Sequence, residues 1–174
     1  MKSLSKKSIV AILFILMATV ALSTGALADV QVVGEARIFN QEALQGETYT
    51  LATVPVVEFD IDTLALSMAA LWVAADPLQY HLDQAAAGNK ESCKEVVDLH
   101  VFVWSLSAVQ VNVPAEYAKV NDDYLTALVD YFDSVNPAME SCFYSEQISN
   151  HEYGAARQGI DRARTILEPY FNGS

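Results

Sequence analysis

From Glu91 to Val111 the chain meets neither glycine nor proline, and the way this stretch folds decides the class of the whole protein. Val97, Leu99, Val101 and Val103 alternate with Asp98, His100 and Phe102, a period of two that suits a strand. Val96, Leu99, Phe102, Val103, Leu106 and Val109 satisfy the i, i+3, i+4, i+7 spacing of one helix face instead. Strands in globular proteins run about 3–10 residues, so length decides for a helix. Val96, Phe102, Val103, Leu106 and Val109 then belong to the core, and Lys94, Asp98 and Gln110 stay outside.

The neighbouring segments read the same way. Asp60, Asp62 or Thr63 can cap a run in which Ile61, Leu64, Ala65, Met68, Leu71, Trp72 and Ala75 share a face. Leu66, Ala69, Ala70, Val73 and Ala74 make its other side apolar too, which predicts the most buried helix of the protein. Asp76-Pro77 reads as a cap followed by a proline in the first helical position, restarting or kinking the helix. The restarted piece stops at Gly88-Asn89. Cut at Pro77, the first run is too short to be a membrane span. Pro114 opens a helix with Tyr117, Val120, Tyr124, Leu128, Tyr131 and Val135 inward, and Asn136-Pro137 ends it. Ser149-Asn150 caps a last helix that turns Tyr153, Ala156, Ile160, Ala163, Leu167 and Tyr170 inward. Arg157, Asp161, Arg164 and Glu168 lie outward at spacings that suit ion pairs within the helix.

These elements, joined by short connections, predict an all-α fold: an antiparallel up-down bundle of about four helices over residues 58–174. The cysteines offer an independent check. In such a bundle the start of the Glu91 helix and the end of the Pro114 helix lie at one end, where Cys93 and Cys142 fall. A Cys93–Cys142 disulfide is therefore expected. Neither cysteine belongs to a Cys-x-x-Cys redox pair or a haem-attachment motif.

Ahead of the bundle, residues 29–57 read as an irregular extension with room for a short strand, because Gly34, Gly46 and Pro55 interrupt the pattern. Residues 1–28 carry Lys2, Lys6 and Lys7, an apolar run from Ile9 to Leu22, and the small-residue end Ala26-Leu27-Ala28. That is the form of a secretory signal peptide, with cleavage before Asp29. Kept as an anchor, the segment has only 14 strongly apolar residues, short of the ~20 that span a bilayer. The expected product is secreted or otherwise extracytoplasmic, soluble, with no stable membrane span, in a compartment where a disulfide persists.

Removing Lys2, Lys6 and Lys7 leaves 7 of the 10 basic residues against all 22 acids, a net charge of −15. Nucleic acid is excluded as a partner, since its phosphates are bound by neutralising Lys and Arg, and anionic membrane is disfavoured likewise. Arg157, Arg162 and Arg164 form the one basic cluster, interrupted by Asp161.

Searched for chemistry, the chain offers little. No Glu-x-x-His pair places two di-iron ligands on one helix face. His81 and His100 each lie two residues from an aspartate, a separation that points helical side chains apart, and His100 reads as a core-edge residue. Glu58, Asp60 and Asp62 alternate as calcium ligands might in an extended loop, but the EF-hand glycine and glutamate are absent, and helix capping explains them. There is no nucleophile elbow, Ser-x-x-Lys, Walker loop or dinucleotide fingerprint, so no catalytic residues, metal or cofactor are assigned, and the chain is not expected to be an enzyme. Asn172-Gly173-Ser174 matches a glycosylation sequon.

Tyrosine is the remaining signal. Tyr117, Tyr124 and Tyr131 recur every seven residues and Tyr153 lies on the next helix, a stripe that either lines a cleft or fills the core with its hydroxyls at the seam. The expected function is non-enzymatic: binding of a protein partner. The alternative is a carrier of a small ligand or cation in the tyrosine-lined or acidic cleft.

Overall fold

The computed structural model describes residues 32–37 and 53–171. The signal segment, the middle of the 29–57 extension and the glycosylation sequon lie outside the described residues. In chain order the elements are β1 (Val32–Arg37), β2 (Thr53–Glu58), α1 (Ile61–Ala86), α2 (Lys90–Leu106), β3 (Val109–Val111), α3 (Ala118–Ser145) and α4 (Asn150–Phe171). The four helices pack against one another as an all-α bundle, in a ring α1–α2–α3–α4 closed by α4 on α1, with a small sheet added.

Within the 29–57 extension, read as irregular with room for a short strand, the described residues form two strands. β1 pairs antiparallel with β2, and β2 pairs parallel with β3, in the order β1-β2-β3. A parallel pair needs a long crossover, and the α1–α2 hairpin supplies it. Pro55 hid the strand. β3 pairs only with Val56 to Glu58, so at Pro55 strand β2 has a neighbour on one side, where a strand tolerates proline.

Both readings of Glu91–Val111 hold in part. The helix ends at Leu106, and the β-branched tail Val109–Val111 goes to the sheet. Val96, Val103 and Leu106 are buried, whereas Phe102 and Val109 are half-buried against the core. Gln110, expected outside, is buried: its Nε2 donates to the Asp60 carbonyl and its Oε1 accepts from the Asp60 N–H, both at 3.0 Å.

Pro77, expected to restart or kink a helix, does not restart it, and Pro137, expected to end one, does not end it: α1 runs through the first and α3 through the second. Pro77 deprives the Val73 carbonyl of its donor, but Val73 is on the solvent side, where water can replace it. α3 continues past Pro137 because Ala138 and Cys142 are still buried. Pro114 forms a turn instead of a first helical residue: its carbonyl accepts from the Tyr117 N–H at 2.9 Å, and α3 begins at Ala118.

Other caps follow the sequence. The Asp60 carboxylate accepts from the Thr63 N–H at 2.7 Å and from its hydroxyl at 2.6 Å. Ser149 and Glu152 exchange backbone and side-chain hydrogen bonds as a capping box at the start of α4. Cys93 and Cys142 meet at disulfide distance, Sγ to Sγ 2.09 Å and Cα to Cα 4.8 Å, joining the first turn of α2 to the last turn of α3.

Candidate functional site

Tyr124 and Tyr131 occupy the centre of α3, fully buried. The Tyr124 hydroxyl accepts from the Ala108 N–H at 3.3 Å. Tyr131 Oη is 3.3 Å from His100 Nδ1, and its ring stacks on the imidazole with centroids 5.7 Å apart. Burial pushes both phenols above their ordinary pKa. Tyr117 stacks on Phe59 at 5.0 Å, and Tyr153 donates to Asp83 Oδ1 at 2.9 Å. Tyr117 precedes α3, and Tyr153 lies in the first turn of α4, beside the far end of α3. The seven-residue spacing places Tyr124 and Tyr131 in the core, with Tyr117 and Tyr153 toward opposite ends of the bundle.

The α3–α4 seam is closed at Gly159. A Cβ built on Gly159 of α4 would meet Ser134 Cβ at 2.2 Å and the Asp130 carbonyl oxygen at 2.7 Å, so the helices touch backbone to side chain.

His100 lies deeper than the core edge. Phe132 packs edge-on against its ring at 5.3 Å and against the stacked Tyr131 at 5.3 Å. Burial lowers its pKa to about 4, so the imidazole is neutral at pH 7. Of the acids considered for calcium, Asp60 caps α1, and Glu58 accepts two bonds from Asn112 Nδ2, at 2.9 and 3.2 Å. Among the described residues no group of three or more His, Cys, Asp or Glu side chains is placed to hold a metal ion.

The arginines of α4 turn to other helices rather than to their own. Arg157 pairs with Asp83 and Arg164 with Asp76, both on α1, while Arg162 pairs with Asp130 of α3 at 3.5 Å. Arg164 also lies over the Trp72 ring, 5.3 Å from its centroid. The one basic cluster is thus committed to holding α4 in place.

What stays open is the outside. α1, expected to be the most buried helix, is long and apolar enough by length and composition to cross a membrane, contrary to the reading that cut it at Pro77, and only 50% of that apolar stretch is buried inside the protein. Leu66 is half-buried, Val73 is 39% exposed and Tyr80 53% exposed. On α2, toward the Tyr80 end, Glu91, Glu95 and Asp98 are exposed. The register of the two helices follows from Ser67 Oγ donating to the Leu106 carbonyl at 2.7 Å. At the other end Glu95 acts on the His81 ring, which sits 5.0 Å from that of Tyr80. Burial lowers the His81 pKa while the Glu95 carboxylate opposes it. A second exposed apolar spot, Phe143 and Tyr144, lies in the last turns of α3, 64% and 76% exposed.

The sequence contained the signal for the α1 face, a helix apolar all round, but not the fact that its neighbours cover only one side. Comparison of the chain with family models, with curated proteins and with solved structures finds no match in any of the three.

Proposed function

We propose that the chain is an exported, non-enzymatic helical-bundle domain that works by binding a protein partner. The observation that carries this is the outer face of α1, where large apolar side chains face solvent although the helix is apolar enough to demand burial. Patches of that kind mark interaction surfaces in soluble proteins. The carrier reading loses support from the buried Tyr124 and Tyr131 and from the closed seam at Gly159. Export is supported by the Lys-rich, apolar, Ala-x-Ala start of the sequence and by the cysteine pair at disulfide distance.

Native mass spectrometry of the protein purified from its own source tests this. The expected species is the chain starting at Asp29 with a second polypeptide bound. A chain holding a small molecule or a metal ion instead would overturn the reading in favour of a carrier.

A further inference from the structure

We infer that the outer face of α1 and α2 docks a cationic amphipathic helix, its apolar side on Leu66, Val73 and Tyr80 and its basic side on Glu91, Glu95 and Asp98. This rests on the binding reading above and names the chemistry of the partner. Leu66, Val73 and Tyr80 are spaced by seven, so they form one line along α1 about 21 Å long, enough to seat about four turns of a docked helix. Glu91, Glu95 and Asp98 are spaced by four and three and form a parallel line on α2.

The two lines adjoin at the Tyr80 end, since the Ser67–Leu106 hydrogen bond sets Glu91 to Asp98 level with about residues 75–82 of α1. Tyr80 contacts the His81 ring, and Glu95 acts electrostatically on that same ring. Glu91, Glu95 and Asp98 take no part in the ion pairs Lys90–Glu146, Lys119–Asp123, Arg157–Asp83, Arg162–Asp130 and Arg164–Asp76. Three carboxylates against the single exposed Lys94 among them leave net negative charge facing a partner, and beside an apolar line that charge selects for an apolar face bordered by Lys or Arg. A second copy of this chain is disfavoured as the occupant, because it would bring the same acids to the interface within a net charge of −15 once Lys2, Lys6 and Lys7 are removed. Phe143 and Tyr144 are more exposed but form an isolated pair, T-shaped on each other at 5.0 Å.

The test uses the secreted chain and two labelled model peptides, one of Leu and Lys in amphipathic helical order and one of the same pattern with Glu for Lys. Binding is read by fluorescence anisotropy. The Leu/Lys peptide is expected to bind about tenfold tighter or more, with the preference weakening as salt screens it. Val73→Asp, Tyr80→Ala and Asp98→Lys should each weaken binding about fivefold or more, with thermal melting used to verify that each variant is folded. Asp122→Lys, an equal charge change at an exposed site on α3, should change it less than about twofold.

No binding of the Leu/Lys peptide, or equal losses for Asp98→Lys and Asp122→Lys, would overturn the inference, the latter by showing attraction to net charge alone. A natural partner whose contact segment is acidic or wholly polar would overturn it too, while leaving the binding reading in place. A retained small ligand would remove the binding reading itself.

Discussion

Gly159 of α4 lies so close to Ser134 of α3 that a Cβ on the glycine would stand 2.2 Å from the Ser134 Cβ. Any larger residue at 159 must push the two helices apart, and α4 is held on its other side by Asp76 and Asp83 of α1. Gly159→Ala is expected to destabilise by about 1–3 kcal/mol, the range for overpacking a filled site. Ser134→Gly should not fully rescue it, since the Asp130 carbonyl oxygen stands 2.7 Å away. Gly154 in the same helix is the internal control. A Cβ there meets nothing within 4 Å, so Gly154→Ala should stabilise by about 0.5–1 kcal/mol through helix propensity alone. Urea midpoints of the two variants should move in opposite directions.

The Cys93–Cys142 pair closes a loop of 49 residues. On the chain-entropy model that constrains the unfolded state by about 4 kcal/mol. Both cysteines are buried, so the paired change Cys93→Ala with Cys142→Ala isolates the loss of the bridge better than a serine, which would bury a hydroxyl. Denaturation with and without reductant should separate by a few kcal/mol in the parent and not at all in the variant. Peptide mapping without reductant should recover the two cysteine peptides joined.

Acid should weaken the fold before its carboxylates titrate. The His100 pKa is lowered to about 4 in the folded state from 6.5, so the unfolded chain takes up the proton first. Stability is then fully present above pH 6.5 and declines as pH falls toward 4, by up to about 3 kcal/mol from this residue. His81, lowered by burial as well, adds in the same direction. Asp60 and Asp123 have lowered values too, chiefly through side-chain hydrogen bonds from Thr63 and Lys119, and their contribution is lost only at lower pH. Melting temperature measured between pH 7 and 4.5 should fall in the parent and fall markedly less in His100→Phe.

Gln110 fastens β3 to the start of α1 by bonding both backbone groups of Asp60. Gln110→Ala leaves the Asp60 N–H without its partner, while the Asp60 carbonyl keeps the Leu64 N–H at 3.0 Å, and should cost about 1–3 kcal/mol. Asn112→Ala, which removes an exposed contact with Glu58, should cost clearly less. Chemical denaturation of the two variants measures the difference.

The helices were legible because their apolar positions recur at 3.6 residues, and the cysteines because they fall at one end of an antiparallel pair. The helix boundaries were not, because Pro77 and Pro137 signal an end that packing overrides: Leu78 and Leu82 beyond the first, Ala138 and Cys142 beyond the second, are all buried. The sheet was hidden for a different reason. β2 carries a proline, β3 has three residues, and their pairing joins segments separated by two whole helices, which no local period reveals. The tyrosine spacing was real but ambiguous, since a seven-residue repeat marks a helix face whether that face is core or cleft. Which side of an all-apolar α1 stays open depends on where α2 and α4 lie, and that is a property of the assembled ring.

The outer face of α1 is the centre of the functional reading, and site-specific photo-crosslinking in the exporting cell tests it most directly. A benzophenone side chain placed at Tyr80 should yield a covalent adduct with a second polypeptide, and one placed at Tyr144 should not. Adducts from Tyr144 alone, or none from Tyr80 while the protein is folded and exported, would contradict it.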